Sequence, residues 1–168
     1  MPLNEHGTSE VAQLIEQLQG HGIETVYAST CEPTHATAEA IATALDVKLK
    51  SLKQMQNLNH GLWQGMLIDE VKRKQPTVYR QWQEQPESIC PPDGESVTEA
   101  TERVDHAIDK VLKRHRQGVI ALVVPEPLAT LVKSRLLHGE LGDLWQATTG
   151  HGCWEALEVE PQNVASGR

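Results

Sequence analysis

The chain has no apolar run long enough to span a bilayer. Its uncharged stretch from Val119 to Val124 falls far short of the roughly 20 residues that a membrane helix needs. An apolar leader with a small-residue cleavage pattern is also missing after Met1. Cations are scarce: 15 Lys plus Arg stand against 23 Asp plus Glu, a net charge of −8. A surface of that sign repels nucleic acid and anionic membrane as a whole, although Lys72-Arg73-Lys74 forms a local basic patch. Cysteine is sparse too. Cys31, Cys90 and Cys153 lie far apart, in neither a disulfide framework nor a paired zinc-ligand pattern. His151 and Cys153 with His138 lack a second close ligand pair, so no metal and no other cofactor is expected. These absences together point to a reduced, cytoplasmic protein.

What is present organises into alternating elements. The 168 residues suit one domain with a substantial core. Asn4 is placed to cap a first helix whose Val11, Leu14, Ile15 and Leu18 share a face before Gly20 and Gly22. Residues 23–29 read as a strand, 34–45 as a helix rich in strong helix formers, and 48–52 as a short edge strand. Between 57 and 92, Trp63, Tyr79 and Trp82 suit a small helical insertion over the sheet. Ser96 and Glu99 form a capping box, and Val97, Ala100, Val104, Ile108, Val111 and Leu112 continue a helical face toward Arg114. A strand follows at 119–124, then a helix from Pro127 to about His138 and a last strand at 153–159. This order predicts an α/β fold: a three-layer sandwich with a mostly parallel sheet and helices on both faces. One domain is expected over residues 1–160, with 161–168 as a loose tail and no internal repeat.

Four short motifs, in order and spacing, resemble the histidine phosphatase superfamily, the phosphoglycerate-mutase-like family, over roughly residues 2–160. Pro2-Leu3-Asn4-Glu5-His6-Gly7 is similar to the family's Pro-Leu-Thr-x-x-Gly entry to its first helix. Tyr27-Ala28-Ser29 followed by Thr37-Ala38-Glu39-Ala40-Ile41-Ala42 is similar to its Ser-Ser…Gln-Thr-Ala segment. Gly61-Leu62-Trp63-Gln64-Gly65 resembles Gly-x-Trp-Glu-Gly, and Pro92-Asp93-Gly94-Glu95-Ser96 with Arg103-Val104 resembles Pro-Gly-Gly-Glu-Ser…Arg-Val. The resemblance implies a phosphoglycerate-mutase-like fold and phosphoryl transfer through a phosphohistidine. Such chemistry needs a nucleophilic histidine, positive charge around the phosphate oxygens and a carboxyl acid for the leaving oxygen.

Carried across residue by residue, the resemblance implies that most of these parts are replaced. The family's nucleophile belongs to an Arg-His-Gly motif closing a strand ahead of Pro-Leu-Thr, whereas this sequence starts at Met1-Pro2-Leu3. The second arginine falls on Pro33, the acid on Asn57 and the second histidine on Glu126. With Ser29, His35 and His60, these residues make up the expected vestigial pocket. Trp63, Glu95, Ser96 and Arg103 are the expected structural motif, Ser96 as a cap, Arg103 as a tie to the insertion and Trp63 as a core or pocket-wall aromatic. Plainer readings stand beside the functional ones. Glu126 can cap the helix after it, Pro33 and Pro127 suit helix starts, and His35 and His60 can serve solvent or packing. Cys31 with His35 could be imagined as a thiol and its base, but a buried structural cysteine is the expectation.

The expected function is therefore a catalytically inactive domain that binds or assembles. The alternative is a phosphomonoesterase or mutase of the family whose N-terminal strand precedes the given start. A first strand missing from beside 119–124 would leave unpaired backbone groups. An exposed sheet edge would then invite a protein partner or self-association, and about 15–20 added N-terminal residues, a strand plus a loop, would relieve it. A small phosphorylated ligand is not expected.

Overall fold

The computed structural model describes residues 3–65, 68–85, 90–139 and 152–159. Its framework is a three-stranded parallel sheet in the order β2-β1-β3, with β1 at Ile23–Ser29, β2 at Lys48–Leu52 and β3 at Val119–Val123. The central strand is set by its sequence. Thr25, Val26, Tyr27, Ala28 and Ser29 are all buried, as expected of a strand covered on both faces. β1 pairs with β2 from Thr25–Lys48 to Ser29–Leu52, and with β3 from Ile23–Val119 to Ala28–Val123.

Alternation along β3 divides the core into two layers. Ala121 and Val123 pack with Val26, Ala28, Ile41 and Leu18, bringing in helices α1 (Glu5–Leu18) and α2 (Glu32–Ala44). Leu122 and Val124 pack against Val104, Ile108, Leu128 and Leu131, which lie on α5 (Val97–Arg114) and α6 (Leu128–Leu137). The sheet thus carries helices on both faces, the α/β architecture that the sequence predicts.

Local chemistry explains the helix starts. Asn4 Oδ1 accepts the Gly7 N–H at 2.8 Å, opening α1. Ser96 and Glu99 bond reciprocally, with Ser96 N–H to Glu99 Oε2 at 2.8 Å and Glu99 N–H to Ser96 Oγ at 3.2 Å, so α5 starts on the anticipated capping box. α2 starts at Glu32, two residues earlier than its composition suggests, because Pro33 fits the first turn. The expected insertion contains a 3₁₀ turn at Gly61–Trp63 and two short helices, α3 (Ile68–Lys74) and α4 (Pro76–Glu84).

Two expectations are corrected. Residues 152–159 form no strand; among the described residues they have no ladder partner, and a strand exists only through one. They are instead tethered by side chains, Trp154 Nε1 to Gln17 Oε1 at 2.7 Å and Lys133 Nζ to Glu155 Oε2 at 2.6 Å. Trp63 is only half-buried and belongs to neither core layer, since it sits on a surface 3₁₀ turn. Tyr79 is also half-buried, with Lys72 Nζ 5.5 Å from its ring centre. The Trp82 side chain and the tail at 161–168 lie outside the described residues.

Candidate functional site

In open parallel sheets ligands bind beyond the carboxyl ends of the strands, and there the structure gathers Ser29, Cys31, Asn57 and Glu126. Ser29 ends β1, fully buried, and its Oγ accepts the Cys31 N–H at 3.1 Å. Cys31 Sγ accepts the Asn57 N–H at 3.4 Å. Asn57 Nδ2 donates to the Glu126 carbonyl at 3.1 Å, and Asn57 Oδ1 accepts the Leu58 N–H at 2.9 Å. A continuous chain of hydrogen bonds thus joins the end of β1 to the loop after β3. Asn57 is its link, and both ends of its amide are occupied.

Arg103 and Glu95 hold Asn57 in place. The guanidinium donates from Nε to Glu95 Oε2 at 2.9 Å and from Nη2 to Glu95 Oε1 at 2.6 Å. It donates further to the carbonyls of Gln54, Gln56 and Asn57. These contacts use all five N–H groups of the fork. Glu95 also accepts the Asn59 N–H at 2.9 Å, so the loop after β2 is pinned to the segment before α5. Gly61 and Gly94 make that approach possible: a Cβ on Gly61, at φ +51°, would strike the backbone of Pro92 and Gly94, and one on Gly94 would strike the Asn59 carbonyl. Motif residues far apart in sequence form one backbone junction beneath the strand ends.

The remaining candidates take other positions. His35 Nε2 lies 3.0 Å from Ser51 Oγ, tying α2 to β2. Pro33 sits in the first turn of α2, its carbonyl accepting from Thr37 Oγ1 at 2.9 Å. Burial holds the His60 imidazole below its ordinary range, partly opposed by the Glu95 carboxylate. Two expectations change. Cys31 is partly exposed, because it stands in the turn between β1 and α2 and not in the core. Glu126 makes no backbone cap to α6: Pro127 occupies the N-cap position, and the exposed carboxylate accepts from Thr130 Oγ1 at 3.2 Å.

Sequence reasoning missed Thr130 as the partner of Glu126, and the Gln54 and Gln56 carbonyls as acceptors for Arg103. Neither contact has a sequence signal beyond the i,i+4 spacing of Glu126 and Thr130. Among the described residues no three His, Cys, Asp or Glu side chains gather as a metal site. An open cleft of about 550 Å³ lies between α1 and residues 152–154, lined in part by His6, Glu10, Gln13 and Trp154. It shares no residue with the strand-end cluster.

Comparison with known proteins agrees with this architecture. A phosphoserine phosphatase of Hydrogenobacter thermophilus is 27% identical over 158 residues, covering 94% of this chain and 75% of that protein. An adenosylcobalamin/alpha-ribazole phosphatase of Escherichia coli is 20% identical, with 94% and 78% covered. A bifunctional protein of Mycobacterium tuberculosis is 29% identical over 137 residues, although the match spans only 37% of it. Among solved structures, Bacillus stearothermophilus YhfR superposes with a TM-score of 0.74 at 20% identity, covering 86% of this chain and 71% of that one. A mycobacterial glucosyl-3-phosphoglycerate phosphatase gives a TM-score of 0.74 at 16% identity over 85% and 71%. The family model of the histidine phosphatase superfamily (branch 1) matches residues 1–166. On that match, together with the sheet and motif junction above, the chain belongs to the histidine phosphatase superfamily.

Proposed function

We propose that this domain does not transfer phosphoryl groups and acts through binding or assembly. One observation carries the reading: Glu126 stands just beyond β3, where the family resemblance implies a phosphate-handling histidine. A carboxylate about 4 Å from a phosphate oxygen is repelled by about 1 kcal/mol in water, and by about 4 kcal/mol at an effective dielectric near 20. The cation of this network does not offset it. Arg103 has all five N–H groups engaged with Glu95 and three carbonyls. Asn57, at the position read as the family's acid, is an amide, which can hydrogen-bond but cannot deliver a proton as a carboxyl does.

A second reading, a working phosphomonoesterase, is favoured by the phosphatase names of the relatives. The two separate in one assay: steady-state turnover of an aryl phosphate and of phosphoserine by the purified chain. No release of phosphate above a boiled control is expected. Turnover that survives repurification and disappears on substitution of Asn57 or Glu126 would overturn the proposal in favour of the second reading.

A further inference from the structure

Basic charge is concentrated in one part of this acidic chain. Six of its 15 Lys and Arg and none of its 23 Asp and Glu fall in two short segments, residues 48–53 and 110–114. The first holds β2 with Lys53 just after it, the second the last turns of α5. The fold brings them together. Lys50 Nζ lies 5.5 Å from the centre of the Tyr27 ring, and the Tyr27 hydroxyl is 2.9 Å from His115 Nε2 at the end of α5. Lys110 and Arg114 come about two and about three helical turns after Arg103, so they share its side of α5. That side faces the segment after β2, because Arg103 donates to the carbonyls of Gln54 and Gln56, while Asp105 and Asp109 meet α6 through Arg135. None of the six cations takes part in an ion pair among the described residues, whereas Lys74, Arg103, Lys133 and Arg135 do.

The patch borders an open strand edge. Among the described residues β2 pairs only with β1, which leaves its outer edge without a ladder partner. Lys48, Lys50 and Leu52 alternate onto one face of the strand, and it is the α5 face, since Leu52 packs in the layer that holds Val104 and Ile108. Leu49 packs in the opposite layer with Ile41. The two lysines stand about 7 Å apart, the repeat of side chains along one face of an extended chain. Lysines on an edge resist pairing with an apolar strand. They favour a strand whose own alternate residues are carboxylates, because opposite charges then meet across the pair. The open backbone distinguishes between polyanions: a polypeptide offers the N–H and C=O groups that continue a ladder, whereas nucleic acid engages the cationic side chains alone. The net charge of −8 repels long polyanions from the rest of the surface, so a short segment fits better than an extended polymer.

We propose that the outer edge of β2, with Lys48 and Lys50 beside Lys110 and Arg114, is a docking surface for an extended acidic segment of a partner protein, added as a strand with Asp or Glu at alternate positions. The proposal holds whether or not the strand-end site turns over phosphate. Fluorescence anisotropy tests it, with the 168-residue chain and a labelled synthetic peptide of about ten residues, Glu alternating with Thr, the length of a long strand. Saturable binding is expected. Lys48→Glu with Lys50→Glu should weaken it by about tenfold, and Lys110→Glu with Arg114→Glu by about fivefold, since attraction turns to repulsion. Lys72→Glu with Lys74→Glu, in the basic patch of α3, should leave it within about twofold. A peptide N-methylated throughout keeps every carboxylate but loses its ladder donors, and should bind about tenfold more weakly. Hydrogen exchange at the 48–52 amides should slow when the unmodified peptide binds. No saturable binding, equal affinity for the N-methylated peptide, equal loss in the Lys72 and Lys74 variant, unchanged exchange in β2, or a tighter hold on a thymidine oligonucleotide of the same charge would overturn the proposal; the last would make the patch a general polyanion site.

Discussion

Arg103 shows how one side chain can determine a loop. Its five N–H groups serve Glu95 and the carbonyls of Gln54, Gln56 and Asn57, so removing it strands a carboxylate and three acceptors. Arg103→Ala is expected to cost about 2–4 kcal/mol in denaturant unfolding, and Arg103→Lys to recover only part, because an ammonium cannot reproduce a planar fork. Full stability in the lysine variant would count against the network. His60 adds a pH dependence. Burial depresses its pKa below the ordinary 6.5, so the unfolded chain binds the proton more readily than the folded one. Stability should fall as pH drops through the unfolded value, and rise again toward neutral pH. His60→Asn should flatten that slope below the ordinary value of 6.5; an unchanged slope would assign it elsewhere. Glu126→Gln should alter fold stability little while making the strand-end site less repulsive to anions. Phosphate titration followed by NMR would show it, and equal null responses in both forms would contradict the sign argument.

The capping box at the start of α5 is an element-level device, joining two backbone N–H groups to two side chains. Ser96→Ala should lower stability by about 1 kcal/mol. The bonds from Ser96 also pull the Glu99 carboxyl below its ordinary 4.5, so its contribution is present above that value and is lost as pH falls through the lowered one. The difference between wild type and Ser96→Ala should therefore narrow in acid; a gap constant down to the lowered pKa would mean the carboxylate is not bonded. Such caps and periodic faces were legible in the sequence. β1, β2 and α5 run as predicted because burial of Val26 and Ala28, or of Val97, Val104 and Val111, follows local spacing. Residues 152–159 look equally strand-like, yet pairing depends on a distant neighbour that local pattern does not report. The same applies to the site: Glu95, Ser96 and Arg103 stand out as motif residues, while the carbonyls that Arg103 grips carry no side-chain signal. Cys31 is read as buried from its type, but its turn position leaves it partly exposed.

At the scale of the whole molecule, a histidine phosphatase superfamily fold retains its motif junction, with a carboxylate and an amide at positions where the family resemblance implies proton and phosphate chemistry. The Gly61 and Gly94 contact is part of that retained junction. Gly61→Ala should destabilise the protein by more than the roughly 1 kcal/mol of an ordinary glycine replacement, because its Cβ would meet backbone and not a movable side chain; unaltered thermal unfolding would show the junction is loose. The proposed function, a scaffold that persists without phosphoryl transfer, is open to experiment. Its most direct test is rapid-quench trapping of the chain with an isotope-labelled phosphodonor at saturating concentration. No acid-labile phosphate should remain on the protein, whereas a stoichiometric phosphohistidine, formed and discharged on the timescale of turnover, would contradict the account.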